Sequence, residues 1–317
     1  MEMKKGKKIT VLGAGNVGAS IAYTLTVMGT CSEIVMIDIN KEKAKGEALD
    51  ILQGVAFCPT VDITDGDYED AKDSDVVVVT LGIARKPGQS RLDLAQTNVN
   101  IIKDVMPKIV EFAPNAIYVV VSNPVDILTY TILKCTNLKP EQVIGSGTVL
   151  DSSRLRTAIA TKADVNIKNV HAYVLGEHGD SSMVPWSMTT IGGIDMKDFC
   201  EQEDCLSYDS ETLKAIENEV RTAGAQVIKC KGATFYAIAL SVNKICDSIL
   251  RDTGSVLPVS CMTNGRYGTE NVCLSLPYMV GITGIQRALQ PKFTPEEEEL
   301  LRASSKALKA VIDQLAI

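Results

Sequence analysis

Gly13-Ala14-Gly15-Asn16-Val17-Gly18 constrains this chain more than any other stretch. An apolar run, Ile9-Thr10-Val11-Leu12, precedes it and reads as a short strand. Apolar positions at helical spacing come after it, at Ala19, Ile21, Ala22, Leu25 and Met28. In a strand–turn–helix unit, Gly13 permits the tight turn, Gly15 lets a pyrophosphate approach the backbone, and Gly18 lets the helix pack on the sheet. The helix N-terminus, with Asn16 and Val17 in its first turn, offers free N–H groups and a positive dipole end to phosphates. A second strand, Glu33 to Ile37, ends in Asp38, about 20 residues beyond the glycines. A carboxylate there accepts ribose hydroxyls and repels a 2′-phosphate. The pattern predicts a dinucleotide site, for NAD rather than NADP.

The alternation of strand and helix continues past Asp38. Lys41 to Leu52 is helical in pattern, and a short strand is expected near Val61 to Thr64. Asp75-Val76-Val77-Val78-Val79-Thr80 is apolar throughout, as in a parallel strand covered on both faces. It opens into Leu81 to Arg91, a loop with the cations Arg85, Lys86 and Arg91. Ligands of doubly wound folds bind at such carboxyl ends, although a solvated basic loop has the same composition. A long helix starts at Asp93 or a neighbour and is expected to kink at Pro107. Ala116 to Val121 is another buried strand, ending at Ser122-Asn123-Pro124. Asn123 can reach a ligand or cap the helix that Pro124 begins, and the Asn123–Pro124 bond can be cis. Val143 to Gly145 reads as the last strand of this sheet.

The chain has 317 residues, 45% of them hydrophobic, enough for two lobes. We place the boundary after residue 146: an NAD-binding Rossmann half, 1–146, and a mixed α/β substrate half, 147–317. A net charge of -7 argues against nucleic acid or an anionic membrane as partner. Met1 to Lys8 lacks signal-peptide architecture, and no apolar run approaches the ~18 residues of a spanning helix. The nine cysteines form no CxxC pair or Cys/His cluster, so no metal is expected. They suit small buried hydrophobes in a reduced cytoplasm.

In the second half, Asp151 and Arg154 stand three apart at the head of a helical pattern. They share a face, and a structural ion pair explains them. Val170 to Leu175 reads as a buried strand leading into Gly176-Glu177-His178-Gly179-Asp180. His178 is one of only two histidines. At a strand end between glycines it is a candidate general acid/base, though a lone histidine is as readily a hydrogen-bonded turn residue. A strand and Gly-Gly turn are expected over Met188 to Gly193. Tyr208 to Tyr236 is largely helical, with interruptions at Gly224 and Lys231 to Thr234. Ser255 to Met262 and Val272 to Met279 read as antiparallel strands. Thr294-Pro295 and the acids behind them are a helix start.

Taken together, Gly13 to Gly18, Asp38, Arg85 to Arg91, Ser122-Asn123-Pro124, Asp151 to Arg154, Gly176 to Asp180 and Lys231 to Thr234 resemble the lactate/malate dehydrogenase family over essentially the whole chain. The resemblance implies a doubly wound Rossmann domain followed by a mixed α/β substrate domain, in a homo-oligomer, tetramer or dimer. It implies NAD held by Gly13, Gly15, Asn16, Val17, Gly18, Asp38, Thr80, Gly82, Asn98, Val121 and Asn123. His178 would exchange the proton on the substrate oxygen, with Asp151 holding its other ring nitrogen. Arg154 would grip the substrate carboxylate with a bidentate fork, and Arg91 would close over the site and polarise the carbonyl. Asn123 and Thr234 would complete the substrate wall.

The resemblance also bears on the 2-hydroxy acid. Arg85 stands where malate enzymes carry an arginine for the second carboxylate and lactate enzymes carry glutamine. Gln89 to Leu94 and Lys231 to Thr234 look more like the lactate branch. An enclosed guanidinium without a partner costs about 3–5 kcal/mol, so malate/oxaloacetate is the expected pair, with pyruvate/L-lactate as the alternative. A non-catalytic nicotinamide-binding sensor is a remoter one, having no need of His178, Asp151, Arg154 and Arg91 together. Arg156 and His171 match positions that bind fructose 1,6-bisphosphate in allosteric bacterial lactate dehydrogenases, or they are inherited structural residues.

Overall fold

The computed structural model describes residues 6–83, 88, 90–203 and 206–317. The chain begins with β1 (Lys8–Leu12), α1 (Asn16–Met28), β2 (Glu33–Ile37), α2 (Lys41–Gly54), β3 (Asp62–Asp65) and β4 (Val76–Val79). It continues with α3 (Arg91–Phe112), β5 (Ile117–Val120), α4 (Val125–Cys135) and β6 (Val143–Gly145). The second half holds α5 (Val149–Lys162), β7 (Val170–His171), β8 (Thr190–Ile191), β9 (Ile194–Asp195), α6 (Met196–Gln202), α7 (Ser210–Lys231) and α8 (Tyr236–Leu250). It closes with β10 (Ser255–Met262), β11 (Cys273–Gly281), β12 (Gly284–Ala288) and α9 (Pro295–Ile312).

β3, β2, β1, β4, β5 and β6 lie side by side, all parallel. Every residue of β4 and β5 is buried, because helices cover both faces and leave no solvent side for a polar residue. Strand order reverses between β1 and β4, which opens a crevice at the carboxyl ends where Gly13 and Thr80 meet. This is the expected α/β Rossmann half joined to a second α/β region.

Several expectations change. β6 is not the end of the sheet: β10 pairs antiparallel with it through Ser260 and Gly145, and β11 and β12 extend the sheet further. The apolar run Val170 to Leu175 is a strand only at Val170–His171. Beyond it the backbone makes single bridges, Leu175 to Met183 and Gly176 to Ser275. The loop therefore leaves the small β7-β8-β9 sheet and docks on the large one. α3 spans Pro107 as one helix, whereas α7, against expectation, runs unbroken through Gly224. The Asn123–Pro124 bond is cis. Cys31, Cys246, Cys261 and Cys273 are buried, whereas Cys230 is exposed. No helix among the described residues is long and apolar enough to cross a membrane.

Candidate active site

The dinucleotide cradle is built from backbone. Gly13 has φ 101°, and a Cβ on it would stand 2.6 Å from Thr80 Oγ1. A Cβ on Gly18 would stand 1.9 Å from the Gly13 carbonyl oxygen. A Cβ on Gly15 would meet nothing within 4 Å, so that position borders open space. Gly15 is also the N-cap of α1 and supplies no side-chain cap, so the first-turn N–H groups stay available to an anion. Asp38 Oδ2 accepts the Ala14 N–H at 2.6 Å and Oδ1 accepts the Asn40 N–H at 2.8 Å. This pins the carboxylate beside the glycine turn, where it disfavours a 2′-phosphate. These residues fit a dinucleotide. Asn98 works at the other end of the cradle. Its Oδ1 accepts the Ile83 N–H at 3.0 Å, and its Nδ2 donates to the Asn123 carbonyl at 2.8 Å. It thereby ties the segment after β4, which includes Gly82, to the segment after β5, which includes Val121.

The acid–base cluster is built from side chains. His178 Nδ1 lies 2.6 Å from Asp151 Oδ2, and Arg154 Nη1 donates to Asp151 Oδ1 at 2.9 Å. The i,i+3 pair on α5 is therefore real and also holds a histidine. Val17, Arg91, Val121, Asn123, Asp151, Arg154, His178, Gly224 and Thr234 line one cavity of about 510 Å³. Burial pulls the His178 imidazole down, but Asp151 and then Asp126 outweigh burial and hold its pKa above the usual histidine value. Burial pushes Asp151 up, but His178 and then Arg154 bring it below the usual carboxylate range. An imidazole with Nδ1 engaged by Asp151, and with no partner at Nε2 among the described residues, can exchange a proton with a ligand.

Four elements fix the loop that presents His178. Gly176 and Ser275 exchange two backbone hydrogen bonds at 2.9 Å, locking the loop to β11. The Glu177 N–H donates to Ser304 Oγ on α9 at 2.9 Å, and Ser181 bonds both Glu177 and Ser304. The His178 N–H donates to Asp126 Oδ2 on α4 at 2.8 Å. Asp151 completes the set from α5.

Arg91 is different. It is 76% exposed and pairs at 2.5 Å with Asp180, itself 79% exposed. It opens α3 behind the N-cap Ser90, and such an exposed pair is worth little. Arg85 and Gln89 lie outside the described residues. Arg156 and His171 line a separate cleft of about 620 Å³, with Lys244. Arg156 Nε is buried with no hydrogen-bond partner among the described residues.

Two residues of the site carry roles that sequence patterns do not reveal. Asp126 is buried under His178; its signal is a carboxylate set in the apolar run Val125 to Leu128. Gly224 reads in the sequence as a helix interruption, yet a Cβ there would stand 3.5 Å from Arg154 Nη2. A Cβ at that distance would make ordinary van der Waals contact, so Gly224 marks where α7 packs over the guanidinium.

Comparison with known proteins agrees on the family. A model described as lactate/malate dehydrogenase, NAD binding domain, matches residues 7–145, and one described as the alpha/beta C-terminal domain matches residues 148–316. The chain is 45% identical to L-lactate dehydrogenase 1 of Clostridium acetobutylicum, covering 99% of this chain and 100% of that protein. It is 44% identical to L-lactate dehydrogenase of Acetivibrio thermocellus, covering 98% of each. The crystal structure of minor L-lactate dehydrogenase from Enterococcus mundtii superposes with a TM-score of 0.95 at 39% identity, over 99% of this chain and 100% of that one. These findings overturn the malate preference. It rested on one loop residue, Arg85, and on the assumption that its guanidinium is enclosed. Similarity along the whole chain to proteins named for lactate outweighs one position.

Proposed function

Because the chain belongs to the lactate/malate dehydrogenase family, we propose that it is an L-lactate dehydrogenase, interconverting pyruvate and L-lactate. Its cofactor is NAD. The observation that carries the reaction class is the contact of His178 Nδ1 with Asp151 at 2.6 Å in the cavity that Arg154 lines. The full-length similarity to L-lactate dehydrogenases carries the choice of acid.

Residues 1–146 hold the cofactor and residues 147–317 supply most of the substrate wall. NAD, when bound, supplies the two-electron chemistry; Gly13, Gly15, the first turn of α1 and Asp38 would hold it. His178 donates a proton from Nε2 to the substrate oxygen during reduction and takes it back during oxidation. Asp151 accepts the Nδ1–H, which fixes the tautomer and favours the charged ring. Arg154, already oriented by Asp151, grips the carboxylate with two parallel hydrogen bonds. Arg91 leaves Asp180 and turns its charge toward the oxygen where negative charge develops. The Arg91–Asp180 pair costs little to break, being exposed. Asn123 orients the substrate, and Thr234 bounds its methyl side. Loss of NADH absorbance with pyruvate tests this reading against oxaloacetate run in parallel. Pyruvate should give the higher kcat/KM; no turnover, or the opposite order, would sink it.

One observation favours a regulatory reading beside it. Arg156 Nε, unpartnered among the described residues, shares one cleft with His171, which suits a phosphate-bearing effector bound where copies of the chain meet. Fructose 1,6-bisphosphate should raise activity at low enzyme concentration. An unchanged rate would leave Arg156 and His171 as structural residues.

A further inference from the structure

Asp126 sits in the first turn of α4, 2% exposed, between apolar neighbours. Oδ2 accepts the His178 N–H at 2.8 Å. Oδ1 faces the Ser260 hydroxyl, whose proximity favours the charged carboxylate, although neither atom makes a hydrogen bond of normal geometry among the described residues. The charged or titratable groups facing Asp126 are His178 and Glu177 on the loop and Cys273 on β11. Asp151 and Arg154 meet the same histidine from α5. His178 is thus the cationic partner within reach of Asp126.

A buried carboxylate is an expensive way to hold one N–H beside one serine hydroxyl, since asparagine or serine would accept that N–H without a buried charge. The helix N-terminus offsets part of that cost. We propose that Asp126 is a positioning residue for proton exchange at His178: it anchors the histidine main chain to α4, and its charge, added to that of Asp151, favours the protonated ring. The inference rests on the reading of His178 as the proton-exchanging group. Burial pushes the Asp126 pKa up to about 6, so the group carries its charge at neutral pH and above, where the imidazole titrates. Asp126 lies three residues beyond Asn123, so one short segment sets both a substrate contact and the backbone of the acid.

The chain has only two histidines, so their Cε1 proton resonances can be followed individually by NMR, with His171→Gln giving the assignment. In Asp126→Asn the His178 midpoint should fall by about half a pH unit or more, while His171 does not move. The pH midpoint of kcat/KM for 2-oxo acid reduction should fall with it. NADH affinity should be unchanged. Asp126→Ser, which also accepts the N–H, should do the same. An unmoved His178 midpoint in either folded variant overturns the inference, as does failure of both to fold, which would make the group purely structural. Full activity in His178→Gln would instead refute the acid–base reading, and the NMR midpoints would still be measurable without it.

Discussion

The dinucleotide cradle and the acid–base cluster lie at the same carboxyl edge of the sheet, yet they are made by opposite means. The glycine turn of the cradle comes from one contiguous stretch, Gly13 to Gly18, and works by leaving side chains out: Gly18 has no room for a Cβ, and Gly15 keeps one out of open space. The cluster comes from segments far apart in the chain and works by side-chain charge: α4 gives Asp126, α5 gives Asp151 and Arg154, and the loop held by β11 and α9 gives His178. The contrast teaches that binding and chemistry should fail separately. A change in the cradle acts on fold and affinity, whereas a change in the cluster acts on rate.

The strongest way to break this separation is His178→Gln. The rate at saturating NADH and pyruvate should drop ~10²–10⁴-fold, and NADH fluorescence titration should give the wild-type dissociation constant. A parallel loss of NADH affinity would show that the cluster also builds the cradle. Asp151→Asn should cost roughly 10²-fold in kcat/KM, because it disorders both His178 and Arg154. It also sharpens the comparison through pH. The His178 pKa is raised in the fold, so pyruvate reduction, which needs the protonated ring, should hold steady at low pH and decline as pH rises through a midpoint above the ordinary histidine value. Asp151→Asn removes the main group lifting that pKa, so the midpoint should move down; an unmoved midpoint argues against the pairing.

Gly18→Ala probes the other side. Crowding against the Gly13 carbonyl should cost about 1–3 kcal/mol of stability, read as a lower Tm, and should weaken NADH binding, while kcat at saturation stays near wild type. A large fall in kcat would join the two regions after all. The smallest effect is expected from Asp38→Asn, which removes the charge opposed to a 2′-phosphate. The preference for NADH over NADPH should narrow by about tenfold, or about 1.4 kcal/mol. An unchanged ratio would move cofactor selection away from Asp38.

The same contrast explains what could be read without coordinates. Gly13 to Gly18 and Asp38 were legible because their geometry is local: the turn and helix are dictated within a few residues by sterics. β4 and β5 were legible because burial on both faces leaves an unbroken apolar run. The roles around His178 were legible only through the family resemblance, since nothing in the order of residues says that Asp151 meets His178 Nδ1. The run Val170 to Leu175 misled because apolar side chains announce burial, not pairing. Its second half is buried without continuing the β7 ladder, with Leu175 making a single bridge to Met183. Gly224 misled because intrinsic helix propensity is weak, and packing of α7 against α5 overrides one glycine. Arg85 misleads because a charge selects a substrate strongly only where it is buried, and burial is not encoded in its neighbours along the chain.

By itself, then, the sequence determined the strand–turn–helix of Gly13 to Gly18, set by near neighbours along the chain, and the apolar strands of the parallel sheet, announced by unbroken apolar runs. Only the tertiary structure decided that β10 to β12 extend that sheet and that Asp126 lies beneath His178. It also decided that α4, α5, α9 and β11 converge on one loop. Those contacts join residues far apart in sequence, and what selects them is the burial of whole faces and the pairing of buried charges, which no local pattern encodes.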